Sequence, residues 1–97
     1  MSKKGAPKET LIKFFGSTSR ARILTFFFQN QGVSFYQRQI MFETGISLQA
    51  TQRELKNLVR IGIIKKRETA NRVYYEVNMQ SVFSKPLAEI CGRAEIR

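Results

Sequence analysis

Residues 45–78 read GISLQATQRELKNLVRIGIIKKRETANRVYYEVN, and within them the period of the apolar pattern changes once. Leu48, Thr51, Leu55, Leu58 and Ile61 recur at the spacing that puts small and apolar side chains on one face of a helix. Ser47 is placed to cap that helix and Gly62 to stop it, which predicts a helix over Leu48–Ile61. From Ile63 to Asn78 the residues are β-branched, aromatic and charged instead, with a polar break at Thr69–Asn71. Val73, Tyr75 and Val77 alternate with Tyr74 and Glu76, the two-residue period of a strand. A two-stranded hairpin follows, although its tip has no Asn-Gly turn signal.

Working outward, Gln37–Thr44 is a short helix with Ile40 and Met41 inward, broken by Gly45. Phe42 falls on its outward face, where it either covers a neighbouring loop, the favoured reading, or meets a partner. Two helices joined through the tight turn Thr44–Ser47 make a helix-turn-helix. Ser34–Tyr36 is a stub of strand. Further upstream, Glu9–Phe15 forms an apolar helix ended by Gly16. Ser17 or Ser19 then caps a helix whose stripe is Ile23, Leu24, Phe27 and Phe28, with Phe26 pointing away, and Asn30–Gly32 ends it. At the other end Ser84 caps a last helix with Pro86 in its first turn and Leu87, Ile90 and Cys91 on one face. The fold class expected is α+β, mainly α: a three-helix core, a hairpin and helices at both ends. Residues 1–8 read as a flexible basic tail, 9–92 as one domain and 93–97 as a flexible C-terminus, with no internal repeat and no linker.

Composition narrows the function. Seventeen Lys and Arg against seven Asp and Glu give a net charge of +10 in 97 residues. A balance that lopsided favours a polyanion, nucleic acid or an anionic membrane surface. No apolar run approaches the roughly 20 residues that span a bilayer, and the polar start has no apolar stretch behind it, so neither a membrane nor a secretory signal is expected. A single cysteine, Cys91, excludes an internal disulfide and fits a reducing, cytoplasmic setting. Histidine is absent. Metal sites and general-base mechanisms lack their usual side chain, so no metal, no cofactor and no enzymatic activity is expected.

The outer arc of the Leu48–Ile61 helix then narrows the choice of partner. With Thr51, Leu55 and Leu58 inward, Gln49, Gln52, Arg53, Lys56 and Arg60 face out, and no acid lies among them. Glutamine pairs with adenine and arginine with guanine in the major groove, while lysine neutralises phosphate. Gln49, Gln52 and Arg53 sit early enough in the helix to reach bases; Lys56 and Arg60 suit the backbone. An ordinary solvated helix face would use the same residue types. The hairpin adds Lys65, Lys66, Arg67, Asn71 and Arg72, placed either to touch flanking phosphate or to protect an exposed strand edge. The partner expected is double-stranded DNA.

Residues 45–78, together with FFGSTSRARIL at 14–24 and SFYQRQI at 34–40, resemble winged helix-turn-helix transcriptional regulators of the ArsR/MarR type, and more closely the prokaryotic winged-helix domains found alone or fused to nucleotidyltransferases. The resemblance spans about residues 11–91. It implies a recognition helix carrying Gln49, Gln52, Arg53 and Lys56, a wing carrying Asn71 and Arg72, and a DNA-binding regulator that most often represses. Metal sensing in such regulators needs clusters of Cys, His or carboxylates, and Cys91 stands alone. The resemblance also implies a homodimer through the first and last helices. Leu11, Phe14, Phe15 and Phe26 at one end, with Phe83, Leu87 and Ile90 at the other, offer more apolar surface than a lone core covers. The same side chains could instead complete the monomer core. Two alternatives stand beside the regulator: an interaction module binding protein or RNA, and a nonspecific nucleoid or plasmid-maintenance DNA binder.

Overall fold

The structure is a computed structural model that describes residues 7–92. In chain order it has helices α1 (Lys8–Phe15), α2 (Thr18–Phe28), α3 (Gln37–Thr44) and α4 (Leu48–Arg60), strands β1 (Ile64–Glu68) and β2 (Val73–Val77), and helix α5 (Ser84–Cys91). α1 starts at Lys8, so the last residue of the expected tail is helical; residues 1–6 and the expected flexible end at 93–97 lie outside the described residues.

Local chemistry sets these boundaries. Ser17 and Ser47 each accept a hydrogen bond at 3.1 Å from the backbone N–H three residues on, Arg20 and Ala50, satisfying a donor that the first helical turn leaves free. The turn between α3 and α4 needs a left-handed residue, and Gly45 supplies it at φ 70° without a Cβ to clash. β1 and β2 pair antiparallel from Ile64 opposite Val77 to Glu68 opposite Val73. The loop 69–72 closes with Thr69 N–H donating to the Arg72 carbonyl at 2.9 Å.

α2 forms the centre of the core. Ile23, Leu24, Phe27 and Phe28 are buried with Ile40 of α3, Leu55 and Leu58 of α4, Ile64 and Val77 of the hairpin, and Leu87 and Cys91 of α5. Burying each large apolar side chain stabilises the fold by about 1.5–3 kcal/mol, so this one cluster ties α2 to α3, α4, the hairpin and α5, and Phe15 at the end of α1 packs against it. α1 docks through Leu11 against Ala21, with Ile12, Phe15 and Ile90 around them.

Several expectations change. Leu48 and Ile61 are exposed; Ala50 and Glu54 take their place on the buried face of α4 beside Thr51, Leu55 and Leu58. The reason is position, since Leu48 opens the helix and Ile61 follows its last turn, beyond the reach of α2. Phe26 lies off the buried stripe of α2, as expected, but is half-buried rather than free. The Ser34–Tyr36 stub folds back over α2, joined to β2 by mutual backbone bonds of 2.8 Å between Phe35 and Tyr75, and brings the Phe35 ring to 4.6 Å from Phe26. Ser84 is a buried first residue of α5 rather than its cap: the capping position is Phe83, and Ser81 Oγ accepts the Phe83 N–H at 3.1 Å. Phe42 is 84% exposed and covers no loop. It lines, with Phe26, Phe35, Arg22 and Arg38, a groove of about 980 Å³ between α2 and α3.

Candidate nucleic-acid interface

α4 presents Gln49, Gln52, Arg53, Lys56 and Arg60 to solvent. Its single acid, Glu54, is 1% exposed. That carboxylate receives Arg20 Nε at 2.9 Å and Nη2 at 3.3 Å, while Arg20 Nη1 also reaches the Phe15 carbonyl at 3.4 Å. A paired carboxylate favours the charged guanidinium, and the hydrogen bond with Glu54 raises the Arg20 pKa further above its ordinary value. This fork joins the end of α1, the start of α2 and the middle of α4. Arg53 Nε lies 3.7 Å from Glu54 Oε2, the oxygen that Arg20 Nη2 also meets, and the Arg53 side chain stays 60% exposed. Glu54 was missed in the sequence, although 51, 54, 55 and 58 is the spacing of the buried face itself.

The hairpin completes a cleft with α4. Gln52, Leu55, Lys56 and Val59 line one side, Lys66 and Tyr75 of the hairpin the other, with Gln37 at the start of α3; its volume is about 340 Å³. Lys66 stands opposite Tyr75 in the register and so faces α4. Its ammonium lies 3.2 Å from Glu68, whose side chain is 61% exposed, a solvated pair worth little. Gln37 and Tyr75 were not singled out from the sequence; the first-turn position of Gln37 is the signal that marks it.

Arg67 falls on the opposite face. It stands across from Tyr74, with Nη2 at 2.9 Å from Ser34 Oγ and 3.5 Å from Glu76 Oε1. Asn71 is exposed at the loop, and Arg72 beside it donates from Nη1 to the Tyr36 hydroxyl. Arg60 donates from Nη2 to Asn57 Oδ1 at 3.0 Å, at the far end of α4. The fold therefore gathers Gln52, Lys56 and Lys66 into one concavity, and separates Arg67 and Arg72 onto the other side of the hairpin.

Of the residues expected to pair two copies, Leu11 and Leu87 are buried within the chain and present no surface. Phe15, Phe26 and Ile90 are half-buried against the core, and only Phe14 (70%) and Phe83 (52%) stand in solvent. The lone thiol, Cys91, is buried, and burial pushes its pKa up to about 11, which keeps it protonated and unreactive near neutral pH.

A helix-turn-helix followed by an antiparallel hairpin, with the stub Phe35 bridging the hairpin's second strand, is a winged helix-turn-helix fold. The crystal structure of a predicted DNA-binding transcriptional regulator from E. coli superposes on this chain with a TM-score of 0.62 and 22% identity, over 82% of this chain and 81% of that one. No family model matches the chain, and no curated protein sequence matches it.

Proposed function

We propose that this chain is a sequence-specific double-stranded DNA-binding transcriptional regulator without catalytic activity, acting in the cytoplasm as a homodimeric repressor of the ArsR/MarR kind. The observation that carries the reading is the outer face of α4. Its Gln49, Gln52, Arg53 and Lys56 are exposed, while its only acid is turned inward onto Arg20. An acid-free helix face of about 12 Å diameter fits the major groove, where Gln52 and Arg53 read base edges and Lys56 meets phosphate. Lys66 approaches the flanking backbone from the wing across the shared cleft. The E. coli neighbour, named as a predicted DNA-binding transcriptional regulator, supports the same reading.

Selection of bound duplexes from a random pool tests it. A recovered motif with two symmetric half-sites is expected, and Gln52→Ala and Arg53→Ala each weaken that duplex by about 1–3 kcal/mol while leaving random duplex nearly unchanged. No enrichment, with no affinity for any duplex near 50 mM salt, overturns the proposal.

A further inference from the structure

We propose that Tyr36, Tyr74 and Arg72 form a binding site for a phosphodiester oxygen of the DNA backbone, on the face of the wing turned away from α4. The site rests on the DNA-binding reading and assigns roles to two tyrosines that the recognition helix and its cleft do not use.

The fold builds the cluster from three separate stretches of chain. The Phe35–Tyr75 bridge lays the stub along β2 and so brings Tyr36 beside Tyr74. Their rings stack with centroids 4.8 Å apart and planes inclined by 29°, and their hydroxyl oxygens lie 3.2 Å apart. Arg72 donates from Nη1 to the Tyr36 hydroxyl, with its guanidinium carbon 5.4 Å from that ring's centroid. Arg67 sits at the same distance, 5.4 Å, from the Tyr74 centroid. The tyrosines are held by their stacking and by the strand pairing, so they stand in place before any ligand arrives.

The donors outnumber the acceptors. A guanidinium accepts nothing, and the Nη1 bond to Tyr36 leaves Arg72 with further N–H groups to donate. The two phenols share one hydrogen bond, so whichever donates, one phenol proton remains for an outside acceptor. Among the described residues no carboxylate pairs with Arg72: Glu76 receives Arg67 and Ser34, and Glu68 receives Lys66 on the other face. The Tyr36 pKa is lowered, first by the hydrogen bond with Tyr74 and then by Arg72, so the place already favours negative charge on oxygen. A phosphodiester brings that charge with no proton to remove. Its non-bridging oxygens accept from a neutral hydroxyl and a guanidinium together, the pairing these three side chains offer.

Two kinds of variant separate the parts, measured on the duplex selected above and on a random one. Tyr36→Phe with Tyr74→Phe keeps both rings and removes only the hydroxyls; affinity is expected to fall about three- to tenfold on both duplexes alike, with the salt dependence unchanged. Arg72→Ala removes a charge, and the slope of log affinity against log salt is expected to shrink by about 0.9. Replacing single phosphates of the duplex by neutral methylphosphonates should locate one position whose substitution weakens the parent protein but not the double phenylalanine variant. If the double variant does not fold, Tyr74→Phe alone carries the same comparison. Parent and phenylalanine variants binding equally at every phosphate position would overturn the site and leave the DNA-binding reading standing; a parent that binds no duplex would overturn that reading itself.

Discussion

Thr51 is fully buried on α4, and its hydroxyl has no hydrogen-bond partner among the described residues. A hydroxyl desolvated without a partner costs about 1–3 kcal/mol, and a methyl group of the same shape does not. Thr51→Val is therefore expected to stabilise the protein by about 1 kcal/mol, read as a higher denaturant midpoint at unchanged slope; a lower midpoint would contradict the burial of that hydroxyl. Glu54, three residues on, shows the opposite situation. It is buried, but the Arg20 fork meets both of its oxygens, so the charge is retained inside the fold. Thr51 was legible in the sequence as a core position, because its size and spacing match the buried face. Glu54 was not, because the apolar pattern is scored on apolar residues and the partner that permits its burial lies 34 residues away.

At the scale of elements, α2 and α4 start on the same device. Ser17 and Ser47 each accept one backbone N–H at 3.1 Å. Replacing either by alanine is expected to cost about 1 kcal/mol, measured by denaturant unfolding. Their effects on binding should differ. Ser47→Ala loosens the first turn of α4, which carries Gln49, and should lower duplex affinity beyond its effect on stability; Ser17→Ala should leave affinity unchanged. Equal affinities for the two variants would argue against the first turn of α4 as the reading end. Both caps were legible from a serine preceding a periodic run, although Ser19 stood beside Ser17 as a candidate. The cap expected at Ser84 failed because the chain makes an extra turn, with Ser84 N–H donating to the Ser81 carbonyl at 3.0 Å, before α5 begins.

For the whole molecule, the prediction concerns pairing. α1 and α5 meet at Ile90, which packs against the Leu11–Ala21 cluster, and Phe14 and Phe83 stand exposed at the two helices. A two-fold dimer through these helices would set two recognition helices about 34 Å apart, one turn of DNA. Sedimentation equilibrium at micromolar concentration is expected to give twice the chain mass, and Phe14→Asp with Phe83→Asp to halve it. A parent protein that sediments as a monomer overturns the dimer. The net charge of +10 opposes self-association, so raising the salt should strengthen pairing while it weakens duplex binding.

The order of elements, the helix-turn-helix and the hairpin were legible in the sequence, because periodicity, serine caps and the glycine breaks at 45 and 62 act within a few residues of one another. So was the composition of α4's outer face, since helical geometry alone separates Gln49, Gln52, Arg53 and Lys56 from Leu55 and Leu58. Tertiary structure decided what depends on contacts between distant segments. The Phe35–Tyr75 bridge laid the Phe35 ring against Phe26 and stacked Tyr36 on Tyr74. Strand register put Lys66 on the α4 side and Arg67 on the other. Docking of α1 and α5 onto α2 took Leu11 and Leu87 out of any surface and left Phe14 and Phe83 on it. Local period tells a residue which face it lies on; only packing decides what that face meets.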